Sequence, residues 1–181
     1  MFKVKTSACL LVLGLAVFDV QAATVPGQGT VTFNGKLIAE TCQIQSGDED
    51  LQVTLPTLST KTLANAGDAA GSTAFDIHVE QCDPAITKVA AHFEALNSSG
   101  FDMKTGNLTN ASTSATKADE VQVRLYDADT TPITVGTTGR AFDVDATTHK
   151  ATMRYFGGYY ATGATTAGDV MAKVQYTLAY P

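Results

Sequence analysis

The stretch G-D-V-M-A-K-V-Q-Y-T-L-A-Y-P, residues 168–181, makes every second side chain after Gly168 apolar: Val170, Ala172, Val174, Tyr176, Leu178 and Tyr180. Asp169, Lys173, Gln175 and Thr177 lie between them, with Met171 and Ala179 as the apolar exceptions. A period of two predicts a strand with one buried face and one wet face. The sequence offers no further strand beyond it. This one is therefore expected at a sheet edge without a partner, an arrangement folded proteins normally avoid. A strand from another chain is the expected cover.

The opposite end supplies a candidate for that strand. Residues 1–22 read as a secretory signal: Lys3 and Lys5, then an apolar run over 8–18 too short to span a bilayer, then Val20, Gln21 and Ala22. Cleavage is expected after Ala22, with the position after Ala23 as the alternative. Cys9 opens the apolar run rather than following it, which argues against a lipid anchor. The exported chain then begins with a second alternating stretch. Val25, Gly27, Gly29, Val31, Phe33, Gly35 and Leu37 share one face, and Gln28, Thr30, Thr32, Asn34 and Lys36 the other. Its glycines make it a weak strand alone. It also precedes Cys42, so nothing ties it to the body.

About 159 residues remain after the signal, enough for one domain with a real core. The leader removes two lysines and one aspartate, taking the formal net charge from −6 to about −7. An acidic chain argues against nucleic acid as a partner. No later segment is long and apolar enough to form a membrane helix. Cys42 and Cys82 are the two cysteines left, and an even count in an exported chain reads as a disulfide. Closing a loop of about 40 residues stabilises by about 4 kcal/mol in the chain-entropy account.

Alternation recurs between the ends. Phe75, Ile77 and Val79 alternate with Asp76, His78 and Glu80; 88–96 places Val89, Ala91 and Phe93 on one face; Val121, Val123 and Leu125 alternate with Gln122, Arg124 and Tyr126. The aromatic stretch 151–162 contains Gly157 and Gly158, which mark a bulge or bend. Turn-rich connectors are predicted over 46–50, 65–72, 97–118 and 127–139. Short strands with turn signals predict an all-β fold, an antiparallel immunoglobulin-like sandwich whose final edge strand is missing.

With these motifs in hand the chain resembles a fimbrial subunit of the chaperone–usher family, similar to the major pilins of type 1 and P-type pili. The resemblance spans the whole sequence. It is carried by G-x-V-T-F-N-G-K-L-I before Cys42, F-D-I-H-V-E-Q-C ending at Cys82, M-R-Y-F at 153–156, and the C-terminal pattern with Gly168 and penultimate Tyr180. It implies an incomplete sandwich completed by donor-strand insertion. Residues 1–22 would be the signal, 23–38 the donor extension and 39–181 the pilin domain. Val25, Gly29, Val31, Phe33, Gly35 and Leu37 would form the inserted face. Gly168, Val170, Ala172, Val174, Tyr176, Leu178 and Tyr180 would form the acceptor groove and the strand bound by a chaperone. The implied partners are neighbouring pilin subunits, a periplasmic chaperone and an outer-membrane usher. The implied destination is an extracellular fimbrium used in adhesion, reached through the periplasm, and donor-strand addition is a known mode of recognition.

Other features carry less. His78, His92 and His149 are dispersed, and neither they nor the cysteines have metal-ligand spacing. Asp48, Glu49 and Asp50 lack the calcium-loop pattern and read as a solvated turn. Asn97, Asn107 and Asn110 each begin an Asn-X-Ser/Thr triplet, read as polar loop. Tyr155, Phe156, Tyr159 and Tyr160 read chiefly as a core strand rather than a sugar platform. With no nucleophile elbow, phosphate loop or paired carboxylates, neither an enzyme nor a cofactor is expected. The alternatives are a minor or adapter pilin, and a secreted monomeric sandwich that binds carbohydrate and covers its groove with its own arm.

Overall fold

A computed structural model describes residues 29–38, 41–96 and 100–181. The expected leader, Val25, Gly27 and Asn97 lie outside those residues. The chain divides into a unit ending at Leu37 and a larger one, Ile38–Pro181. Residues 29–37 of the first carry no regular secondary structure.

The larger unit is built from ten strands: β1 (Gln43–Ile44), β2 (Ala69–Glu80), β3 (Lys88–Glu94), β4 (Leu108–Thr109), β5 (Val121–Tyr126), β6 (Pro132–Ile133), β7 (Thr137–Thr138), β8 (Phe142–Asp143), β9 (Ala151–Ala161) and β10 (Gln175–Ala179). Two short 3₁₀ turns, Asp48–Asp50 and Thr60–Leu63, are its only helical elements among the described residues. One sheet runs β1-β2-β9-β5-β4, with β6 also on β5. The other runs β10-β3-β7, with β8 also on β3. Every strand pairing is antiparallel.

The alternating side chains explain why the sheets pack. Ile77 and Val79 of β2, Met153 and Tyr155 of β9 and Leu125 of β5 are buried in one cluster with Val89, Ala91 and Phe93 of β3. Tyr155 is its centre, with the rings of Phe93 and Phe142 edge-on at 5.1 and 5.5 Å. Its hydroxyl accepts from Ala91 N–H and donates to Arg140 C=O, both at 3.0 Å, so a phenol sits in the core with its polar end satisfied.

Burial raises the Tyr155 pKa from its ordinary value of 10.0 to about 12. The neutral phenol is the form the fold favours. Its contribution is whole below pH 10 and is lost as the pH climbs toward 12. Tyr155→Phe leaves the buried Ala91 N–H without its acceptor and removes the donor to the Arg140 carbonyl, and is expected to cost about 1–3 kcal/mol at neutral pH. The same variant should melt with a shallower decline between pH 10 and 11.5 than the wild type. Equal alkaline slopes would assign the lost stability to other groups.

The strands predicted over 121–126, 88–96 and 151–162 match β5, β3 and β9 to within a residue or two. Two differences have physical reasons. β2 begins at Ala69, inside the predicted connector 65–72, because the ladder continues past a bulge. Gly71 and Ser72 together oppose Gly158, so the extra residue lies on β2 rather than in the Gly157-Gly158 pair. Gly71 adopts φ +70°, and a Cβ on Gly158 would stand 3.2 Å from Ser72 Cα. The connectors 97–118 and 127–139 also hold β4, β6 and β7, each two residues long. Strands that short carry no readable period.

Candidate strand-accepting seam

β10 is the edge of its sheet and β1 the edge of the other. Between these edges the sandwich has a seam. Ala172, Val174, Tyr176, Leu178 and Tyr180 form a half-buried row along one flank, all packed against the core cluster. Val170 is half-buried as well. Leu51, on the opposite flank, packs against the same core. On its inner side β10 pairs with β3 from Gln175↔Glu94 to Ala179↔Ala90. Its outer side has no strand partner among the described residues.

The flanks touch through two tyrosine hydroxyls. Tyr180 Oη accepts the Cys42 N–H at 2.9 Å, and Tyr176 O–H donates to the Asp48 carbonyl at 2.7 Å. Among the described residues no backbone hydrogen bond joins 41–55 to 172–181. Cys42 is bonded to Cys82 at 2.04 Å, which fastens the β1 flank to the end of β2. Burial, with the charges of Asp48 and Glu49 behind it, pushes the Tyr176 pKa up to about 12, so its hydroxyl stays a donor at every physiological pH.

The acidic cluster is not simply a solvated turn. Asp48 Oδ2 accepts from His78 N–H at 2.6 Å and lies 2.8 Å from His78 Nδ1. Its side chain is only 14% exposed. Glu49 caps the Gly47 N–H at 2.8 Å, and Asp50 accepts from Gln52. The turn is thus pinned to β2 by a side chain and to β10 through its carbonyl. His92 meets Thr138 and Glu94, and His149 pairs through its backbone with Cys82 and Asp145, so the histidines remain apart. Among the described residues no three His, Cys, Asp or Glu side chains converge as metal ligands.

The predicted strand over 168–181 is ladder-paired only at Gln175–Ala179, because its first third is held differently. Asp169 bridges Lys117 in parallel: its N–H donates to Thr116 C=O and its own carbonyl accepts from Ala118 N–H. Asn110, buried, spans both pieces. Its amide donates to the carbonyls of Ala118 and Asp169 at 2.9 Å, and its oxygen accepts from Met171 N–H at 3.0 Å. A Cβ on Gly168 would strike the Thr116 carbonyl oxygen and lie 2.6 Å from Ala118 N. The glycine is where two backbones meet.

Sequence reasoning missed Asn110 as a clamp, although it singled out the triplet that contains it. Asn107 is buried too, donating to Gln122 Oε1 and accepting from Arg124 Nε, whose guanidinium lies 3.6 Å over the Tyr160 ring. Leu51, Val53 and Leu55 were also missed, though they alternate with polar Gln52 and Thr54. In the smaller unit Val31, Phe33 and Leu37 are 76, 91 and 98% exposed. Three large apolar side chains at alternate positions are thus left to solvent.

An all-β sandwich of this design is the pilin kind of domain. One solved chain of similar fold belongs to the structure of a chaperone–usher pilus, with TM-score 0.60 and 22% identity, covering 88% of this chain and 100% of that one. The family profile described as "Fimbrial protein" matches residues 31–181. The F17 fimbrial protein of Escherichia coli is 40% identical over 177 residues, 93% of this chain and 96% of that protein. The type-1 fimbrial protein A chain of Escherichia coli is 31% identical, over 96% and 99% of the two chains. This chain belongs to the fimbrial protein family: it is a structural subunit of a surface fimbrium, not an enzyme.

Proposed function

We propose that this subunit polymerises by donor-strand exchange. The face Val25, Gly29, Val31, Phe33, Gly35 and Leu37 of one copy enters the seam beside β10 of the next. The observation that carries the reading is the pair of complementary rows: a half-buried apolar row on an unpaired edge, and an exposed apolar row at alternate positions of residues 29–37. Burying Val31, Phe33 and Leu37 would contribute about 1.5–3 kcal/mol each, and each new backbone hydrogen bond about 0.5–1.5 kcal/mol. One arm and one seam per copy make a head-to-tail contact, which builds a filament when it does not close into a ring. Before assembly a periplasmic chaperone would fill the seam, and an outer-membrane usher would oversee the exchange. The fibre would serve in adhesion. Residues 1–22 would be the export signal, 23–38 the donor arm and 39–181 the pilin domain.

The test separates donating from accepting. Gly35 has open space around it in the subunit, so a side chain there leaves the subunit's own fold intact. Gly35→Asn is expected to give a folded subunit that accepts a donor strand but cannot enter a neighbour's seam. Mixed with wild-type protein it should cap growing fibres at one end, read as a shift to short polymers on unheated detergent gels. Polymerisation equal to wild type would exclude this face as the inserted one.

A further inference from the structure

We propose that the hydroxyls of Tyr176 and Tyr180 are the braces that set the width of the seam, and so position the incoming strand. The inference rests on the strand-accepting reading above. Tyr176 and Tyr180 stand four residues apart on one face of the same segment, with Leu178 between them. Their contacts on the other flank, Asp48 C=O and Cys42 N–H, lie six residues apart. The flanks therefore run in opposite directions and are joined by side chains where a sheet would be joined by backbone.

Paired strands sit about 4.8 Å apart. A tyrosine reaching from one backbone to another holds them well beyond that, at a separation suited to one intervening strand. Both rings pack against the core cluster, so the bridges form the floor of the seam and leave its mouth free. Both far anchors are fixed. Cys42 is held by the disulfide and Asp48 by His78. A brace is only as stiff as its abutments, and here each abutment is tied separately to β2 or its end. Leu178 has no hydroxyl and its neighbours on the row, Val174 and Ala172, have none either, which leaves the two tyrosines as the only such contacts along it among the described residues.

Without the hydroxyls the rings and their packing stay, but the two flanks are free to draw together or splay. An incoming strand would then meet a seam of variable width. It would lose the preorganisation that keeps it bound.

The experiment uses the full chain and a fluorescent synthetic peptide of residues 23–38, followed by anisotropy. Tyr176→Phe, Tyr180→Phe and the double variant retain the rings and remove only the hydroxyls. The double variant is expected to release the peptide about tenfold faster than wild type, the size two hydrogen bonds allow. Each single variant should fall between, and the peptide-free chain should melt a few degrees lower, since the Cys42 N–H or the Asp48 carbonyl loses its partner. Release rates within twofold of wild type would overturn the brace while leaving the acceptor reading standing. Faster uptake with unchanged release would also overturn it, since the bridges would then be a latch that closes the seam. Failure of the wild-type chain to take up peptide would sink the acceptor reading and the brace with it. If the double variant does not fold, the single variants decide the matter by the same criterion.

Discussion

Leu178→Asp is expected to abolish fibres. Leu178 sits mid-row on β10, in register with fully buried Ala91 of β3 and flanked by the two tyrosines. A carboxylate there faces the apolar floor of the seam, where the core cluster and the hydrophobics packed on it, among the described residues, include no cation. An ionised group in such a place costs several kcal/mol unless it takes up a proton or finds a partner. Either the strand cannot seat, or the subunit opens and is degraded. Electron microscopy of producing cells should show bare surfaces, and the amount of subunit in the cells should fall sharply. Leu178→Met, which keeps the volume, should assemble. Abundant fibres from the aspartate variant would mean that the seam is not where the donor strand enters.

Gly168→Ala should be nearly as damaging, for a different reason. The added methyl would collide with backbone: the Thr116 carbonyl oxygen, Ala118 N at 2.6 Å and Lys117 C at 2.7 Å. No flexible side chain is available to move aside. Separating the segments breaks the Lys117–Asp169 bridge and strips Asn110 of its bonds to the carbonyl of Asp169 and the N–H of Met171. Overpacking of this kind costs about 1–3 kcal/mol, and the lost bonds add to it. A fall in melting temperature of about 6–12 °C follows for a domain of this size. A melt within about 2 °C of wild type would show that the approach is looser than the structure has it.

The two sites differ in how far the sequence revealed them. The row from Val170 to Tyr180 was legible because a half-buried strand leaves a period of two in its own residues. What those residues pair with was not. Asn110 holds the start of the segment from about sixty positions upstream, and alternation says nothing of so distant a partner. Asp48 was hidden for a related reason. Three acids after a glycine resemble a wet turn until His78 is folded against them. The long strands β3, β5 and β9 could be read almost to their ends. β2 could not, because its first residues, A-A-G-S, have the composition of a loop and become strand only by pairing with β9 across the bulge. The tyrosine hydroxyls left no signal at all, since in sequence each is one more apolar position in the row.

The contact between Cys42 and Tyr180 spans 138 positions, and that between Asp48 and Tyr176 spans 128. Non-local pairings of this range make folding slow, because the chain must lose the entropy of a long loop before the contact repays it. The order of synthesis sharpens the point. β1, β2 and β3 emerge early, yet β10, the last described strand and a direct neighbour of β3, emerges only after everything between them. Throughout that interval the outer side of β3 and the early core residues Val89, Ala91 and Phe93 wait uncovered. Misassembly is therefore most dangerous before the last strand has been made and docked, when the half-built sheet offers an edge to any passing strand.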